Sequence, residues 1–240
     1  MPGRSCRTAL LALALLSACG QKSSEPRSED FPRAQRPVAP LGDSTLADED
    51  KRDQAGEAET VMAYATVTPG MTVADIGAGE GYYTVRLSRK VGEKGRVLAE
   101  DIVPAVRDRL AERVERERLD NVSVKLGEPY NPKLPANSFD RIFLVNMYHE
   151  IQQPYAFLWF VRASLKAGGQ IVVVDNEKTT DLHGTPPRLL MCEFAAVGYR
   201  RTTFKELPRS QSYLATFEPV GERPAPNEIS ACFERNPGKI

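Results

Sequence analysis

Between Val73 and Val91 a short apolar run, Val73-Ala74-Asp75-Ile76, meets three glycines at alternate positions and then a helical pattern. Gly77, Gly79 and Gly81 form the loop, and Val85, Leu87 and Val91 recur among Arg86, Arg89 and Lys90 beyond it. Strand, glycine loop and helix in that order aim backbone N–H groups and a helix N-terminus at a ligand. Glycine, with no Cβ, permits positive φ and lets the ligand approach the backbone closely.

Asp75, two residues before the first glycine, narrows the choice of ligand. A dinucleotide loop facing a pyrophosphate would not place a carboxylate there, whereas a ligand with a cationic amino group suits it. The run Asp75-Ile76-Gly77-Ala78-Gly79-Glu80-Gly81 resembles motif I of the class I S-adenosylmethionine-dependent methyltransferases, which commonly reads Asp-x-Gly-x-Gly-x-Gly. The resemblance implies that Asp75, Gly77, Ala78, Gly79 and Gly81 bind S-adenosylmethionine.

Further landmarks follow in order. Gly95 to Ala99 reads as a second strand ending in Glu100-Asp101-Ile102. An acid at that place hydrogen-bonds ribose hydroxyls in folds of this kind. Asp101 is the first choice for that role and Glu100 the second, because neighbours on a strand face opposite ways. After a third strand, Asn121 to Leu126, the family often carries Gly-Asp near the adenine; Gly127-Glu128 stands here. Leu134-Pro135-Ala136-Asn137-Ser138-Phe139-Asp140 resembles the family's lead into strand four, Arg141 to Val145. Leu165-Lys166-Ala167-Gly168-Gly169 resembles its turn into strand five, Gln170 to Asp175. The resemblance covers residues 46–220 and implies a Rossmann-like, seven-stranded, mostly parallel sheet with helices on both faces. Leu46 to Val67 is helix-compatible, and Tyr199 to Leu207 with Gln211 to Phe217 form a closing pair of strands.

Ligands of open α/β sheets bind beyond the carboxyl ends of the strands. Strand four delivers Asn146-Met147-Tyr148-His149-Glu150 to that edge. Asn146 is assigned to the cofactor, and Tyr148 and His149 to catalysis on an acceptor. His149, as an imidazole, is suited to take a proton from an acceptor hydroxyl or amine, or to orient it. Methyl transfer from a sulfonium asks more for alignment than for acid–base work, since the leaving thioether is neutral.

The N-terminus has a different character. Arg4 and Arg7 precede an apolar run, Ala9 to Leu16, and Ser17-Ala18-Cys19-Gly20 follows. A basic start, a short apolar core and small residues make a secretory signal; the run falls short of the roughly 20 residues that span a bilayer. Leu16-Ser17-Ala18-Cys19 resembles the bacterial lipobox, which implies a signal peptide over 1–18 and a lipid on Cys19. The expected location is the cell envelope, with the outer membrane favoured by Gly20, or the cytoplasm if the signal is unused. Residues 19–45, rich in Ser, Pro, Glu and Arg, are expected to be a flexible tether. Residues 221–240 form a C-terminal tail.

Lys+Arg and Asp+Glu both number 32, so no basic field argues for nucleic acid. Of four cysteines, Cys192 and Cys232 remain after Cys6 and Cys19 are assigned to the leader and the lipid. They match no zinc spacing, and with two histidines in the chain no metal site is expected. A disulfide between them and a pair of free thiols both remain open. The implied activity is methyl transfer to a small-molecule or lipid-like acceptor. S-adenosylmethionine is made in the cytoplasm, however, and an exported chain raises the alternative of a non-catalytic binding module on the same scaffold.

Overall fold

The computed structural model describes residues 25–42, 49–207 and 211–233. Cys19, the rest of the leader and the boundary at residue 46 lie outside the described residues.

Two short helices, α1 (Glu49–Gln54) and α2 (Glu57–Tyr64), open the domain. A single helix over Leu46 to Val67 was the expectation; Gly56, in the left-handed region at φ 66°, divides it. The chain then runs β1 (Thr72–Ile76), α3 (Tyr82–Val91), β2 (Arg96–Asp101), α4 (Pro104–Arg116), β3 (Val122–Leu126) and β4 (Phe139–Val145). It continues through α5 (Pro154–Arg162), β5 (Leu165–Asn176), α6 (Pro187–Ala196), β6 (Tyr199–Glu206) and β7 (Ser212–Pro219).

The seven strands form one sheet in the order β3-β2-β1-β4-β5-β7-β6. The first five are parallel, and β7 runs antiparallel to both β5 and β6. The expected closing pair of strands is therefore present, with β7 alone reversed among the described strands. Central strands are buried on both faces and read as apolar runs. Ile171, Val172, Val173 and Val174 on β5 are each 1% exposed or less. Ile142, Leu144, Ile171 and Val173 pack with α5 and α6 on one face; Val73, Phe143, Val172 and Leu214 pack with α2 and α3 on the other.

Two sequence landmarks meet in space. Asp140 Oδ2 accepts from the Thr72 N–H at 2.8 Å and from Lys166 Nζ at 2.7 Å. The aspartate of the Ser-Phe-Asp lead thus clamps the start of β1, and the lysine of the Gly-Gly turn neutralises it.

The segments expected as tether and tail are packed where they are described. Phe31 lies in the core, edge-on to Trp159 at 5.5 Å. Arg36 Nε donates to Glu193 at 3.0 Å with both side chains fully buried. The expectation of a flexible stretch over 19–45 therefore does not describe residues 31–39, because an aromatic and an ion pair bury there. At the other end the Arg223 guanidinium lies 3.3 Å from the Trp159 ring centre, and Cys232 is bonded to Cys192 of α6. Of the two states left open for these cysteines, the structure has the disulfide.

Candidate active site

β1 carries the chain straight to the glycine loop at the C-terminal edge of the sheet. Gly79 has φ 57°, and a Cβ built on it would meet nothing within 4 Å. That empty space is the cradle a ligand would fill. Gly81 answers a different need: at φ 90° it starts α3, and a Cβ there would sit 2.5 Å from Leu110 of α4. Gly77, Gly79, Glu100, Asp101, Glu128, Asn146 and Glu150 line one cavity of about 340 Å³.

The two acids at the end of β2 have different surroundings. Asp101 Oδ2 accepts from the Gly79 N–H at 3.0 Å, and Oδ1 accepts from the Val103 N–H at 2.9 Å. Asp101 therefore holds the glycine loop in place. Glu100 is 1% exposed, and its carboxyl occupies the space above Gly127, where a Cβ would fall 1.4 Å from Oε1. Its Oε2 is buried and has no hydrogen-bond partner among the described residues, and Glu100 is one of the residues lining the cavity. An unpartnered buried oxygen costs about 1–3 kcal/mol unless a ligand supplies the partner. Burial pushes the Glu100 carboxyl up to about 8, with Lys125 opposing and Asp101 and Glu128 adding to the rise. Near neutrality it is thus mostly a neutral acid, able to donate as well as accept.

Asp75 does not reach the cavity. It is 2% exposed, and its Oδ2 accepts from Thr84 Oγ1 at 2.6 Å, tying the end of β1 to the first turn of α3. Burial pushes this carboxyl up to about 6 despite the Thr84 bond. Its place supports a positioning role for the loop rather than a direct contact. Ala78 likewise stays outside the lining; its N–H donates to the Glu100 carbonyl at 2.9 Å. Glu128 stands at the rim, paired with Lys133. Asn146 lines the cavity in the left-handed region at φ 52°.

The acceptor side departs further from expectation. Tyr148 is fully buried, its hydroxyl donates to Glu193 Oε2 at 2.7 Å, and its ring lies against Phe194. Burial holds its phenol well above the usual range. The catalytic assignment of Tyr148 is corrected: it belongs to the core. His149 is 2% exposed, and its Nδ1 lies 2.9 Å from Asp175 Oδ1. Glu150, the next residue, does line the cavity, and its Oε1 accepts from the Gly42 N–H at 2.7 Å. Arg36 underpins this turn by donating to the carbonyls of Tyr148, His149 and Ile151. Asp175 and Arg36 are not among the expected site residues because each lies far from this turn in sequence, and Glu150 because it reads as a surface charge beside His149.

Residues 73–169 match the model of a methyltransferase domain family. A protein-L-isoaspartate O-methyltransferase from Thermotoga maritima is 32% identical over 117 residues, covering 49% of this chain and 35% of that one. An arsenite methyltransferase from Halobacterium salinarum is 28% identical over 137 residues, covering 54% of this chain and 34% of that one. The chain thus spans about a third of the length of these two relatives. Among solved structures, an S-adenosylmethionine-dependent methyltransferase from Aquifex aeolicus superposes with a TM-score of 0.61 at 26% identity. That match covers 71% of this chain and 97% of the other. The [4+2]-cyclase SpnF shares the fold alone, with a TM-score of 0.63 at 14% identity over 81% of this chain and 91% of its own. The fold is that of the class I methyltransferases, and the cofactor these relationships imply is S-adenosylmethionine.

Proposed function

We propose that this chain is an S-adenosylmethionine-dependent methyltransferase, anchored to the bacterial envelope, that acts on a small-molecule acceptor. The observation that carries the cofactor half is the unpartnered Glu100 Oε2 in a residue that lines the same cavity as Gly79, over which the space is open. These features fit the group: Glu100 would take a ribose hydroxyl, the Gly77–Gly79 backbone would lie against the amino-acid portion, and Glu128 would flank the base. When bound, the cofactor supplies an electrophilic methyl group on a sulfonium.

The chain's own residues then hold and orient. Asp101 and Asp75 keep the loop in its ligand-ready shape, one from each side. Arg36 and Gly42 fix the turn that brings Glu150 to the cavity. Alignment of acceptor and methyl donor is the main catalytic contribution such a site makes. The relatives act on protein isoaspartate or on arsenite by their names, and neither substrate is carried over here. A small-molecule acceptor is favoured because the cavity that Glu150 shares with the donor-side residues is of small-molecule size, about 340 Å³.

Export is supported by the basic, apolar and small-residue order of the N-terminus and by the Cys192–Cys232 bond, since disulfides persist in oxidising compartments. No helix among the described residues is long and apolar enough to cross a membrane, so anchoring would fall to a lipid on Cys19. Export also favours the second reading, a binding module without turnover, because the cofactor is made in the cytoplasm. Incubating the full chain with methyl-labelled cofactor and envelope extracts separates the two. Transfer of label to a small molecule supports the enzyme. Stoichiometric retention of unreacted cofactor, with no labelled product from any extract, supports the module. Labelled palmitate on the native chain, lost in Cys19→Ser, tests the anchor.

A further inference from the structure

Both histidines of the chain meet beside Glu150, a residue of the cofactor cavity's lining, although 34 positions separate them. Their rings stand edge-on at 5.4 Å and 89°. Glu150 joins them, and one ligand atom from each of His149, Glu150 and His183 lies within 4.8 Å of the others. We propose that these three side chains form a binding site for one divalent transition-metal ion.

The surrounding hydrogen bonds prepare the first ligand. Asp175 is fully buried; its Oδ1 accepts from the Asn176 N–H at 2.8 Å, and its Oδ2 accepts from Thr185 Oγ1 at 2.7 Å. A carboxylate in that setting accepts at His149 Nδ1, 2.9 Å away, so the imidazole proton resides on Nδ1. Nε2 is left with its lone pair, aimed toward Glu150 Oε1 at 3.9 Å. Two acceptors face each other there across a gap that suits a cation. A carboxylate behind the far nitrogen of a ligating histidine is usual at metal sites: it fixes the tautomer and raises the basicity of the ligand.

The other two ligands come from the surface side. Glu150 is half-buried and held by the Gly42 N–H. His183 is exposed and stands at φ 53°, with its carbonyl accepting from Asn176 Nδ2 at 3.2 Å. Metal–nitrogen and metal–oxygen bonds of about 2.0–2.2 Å put neighbouring ligand atoms roughly 3–3.5 Å apart. Rotation of the exposed His183 ring, with an approach of roughly a few tenths of an ångström between Glu150 and His149, would close the remaining distance. Two imidazoles and one carboxylate select zinc, iron(II) or a neighbour in that series over magnesium or calcium, which prefer oxygen ligands. Three protein ligands leave positions open. Because Glu150 also lines the cofactor cavity, those positions face the entry proposed above for the acceptor. An acceptor with a hydroxyl or carboxylate oxygen is the class that would complete the coordination. That last step rests on the methyl-transfer reading; the ion site does not.

The test is titration of untagged, chelator-stripped full chain with Co²⁺, read by its visible ligand-field bands and by calorimetry. One equivalent bound at micromolar or tighter affinity is expected. His183→Ala, which alters an exposed side chain, should weaken binding at least tenfold, and Glu150→Gln should do the same. Asp175→Asn should weaken it about tenfold through the tautomer. No saturable binding, or His183→Ala binding as tightly as the native chain, overturns the site. S-adenosylmethionine binding is measured on the same samples. Cobalt bound without cofactor binding leaves the site standing and sinks the methyl-transfer reading; the reverse result does the opposite.

Discussion

The two ends of the cavity are built in different ways. The end proposed for the methyl donor is largely local: the glycine loop, Glu100 and Asp101 lie within Asp75 to Asp101, and Asp101 bonds back to Gly79 across 22 positions. The end proposed for the acceptor is assembled from remote pieces. Arg36 and Gly42 come from the N-terminal segment, His149 and Glu150 from the turn after β4, Asp175 from β5, and His183 from the loop beyond it. A contiguous motif keeps its geometry as long as its own turn forms. An assembled site depends on the whole fold around it, so damage to a distant segment is felt there first.

Arg36→Ala should give the largest effect and expose that dependence. It leaves Glu193 buried without its cation, a change worth about 3–5 kcal/mol. Urea denaturation should show that loss, and the proteolytic sensitivity of the 148–151 turn should rise. A loss below about 1 kcal/mol would mean that the N-terminal segment is not part of the folded unit. Glu100→Ala should act at the donor end instead. Removing one hydrogen bond to a ribose hydroxyl costs about 1–1.5 kcal/mol, or roughly tenfold in cofactor affinity. Asp101→Ala should weaken binding too, together with faster amide exchange at Gly79, which separates holding the loop from touching the ligand.

Glu100 also sets a pH dependence. Its carboxyl, ordinarily near 4.5, is raised to about 8 in the fold, so the native state binds a proton that the unfolded chain releases. Stability from this group is fully present below about 4.5 and is lost as pH rises toward 8. Asp75, raised from 3.8 to about 6, adds the same sign over a lower window. Thermal melts from pH 5 to pH 8 should therefore fall, and Glu100→Gln should flatten the upper part of that slope. An unchanged slope in the variant would place the carboxyl in water. The smallest effect expected is at Asp140→Asn, about 1 kcal/mol or less, since its partner Lys166 is partly exposed.

The same contrast explains what the sequence made legible. Helix Tyr82–Val91 and the central strands announce themselves because apolar periodicity and glycine punctuation are local signals. The Asp140 and Lys166 landmarks were readable as motifs, while their bond to each other was not, since it spans β4 and β5. Adjacent positions also hide their division of labour. Glu100 and Asp101 differ in which one finds backbone donors, and that follows from where Gly79 and Gly127 fall in space. Tyr148 beside His149 looked like a second reactive group; only the placement of Glu193, 45 positions on, turns its hydroxyl inward. The proline-rich composition of residues 25–42 reads as unstructured because Phe31 and Arg36 find their partners far along the chain.

Calorimetric titration of S-adenosylmethionine into the full chain, with Glu100→Ala beside it, tests the central claim most directly. The account predicts one site of micromolar affinity, near −8 kcal/mol, weakened about tenfold in the variant while the fold is retained. A folded chain that gives no heat of binding, or a variant that binds as tightly as the native chain, would contradict it.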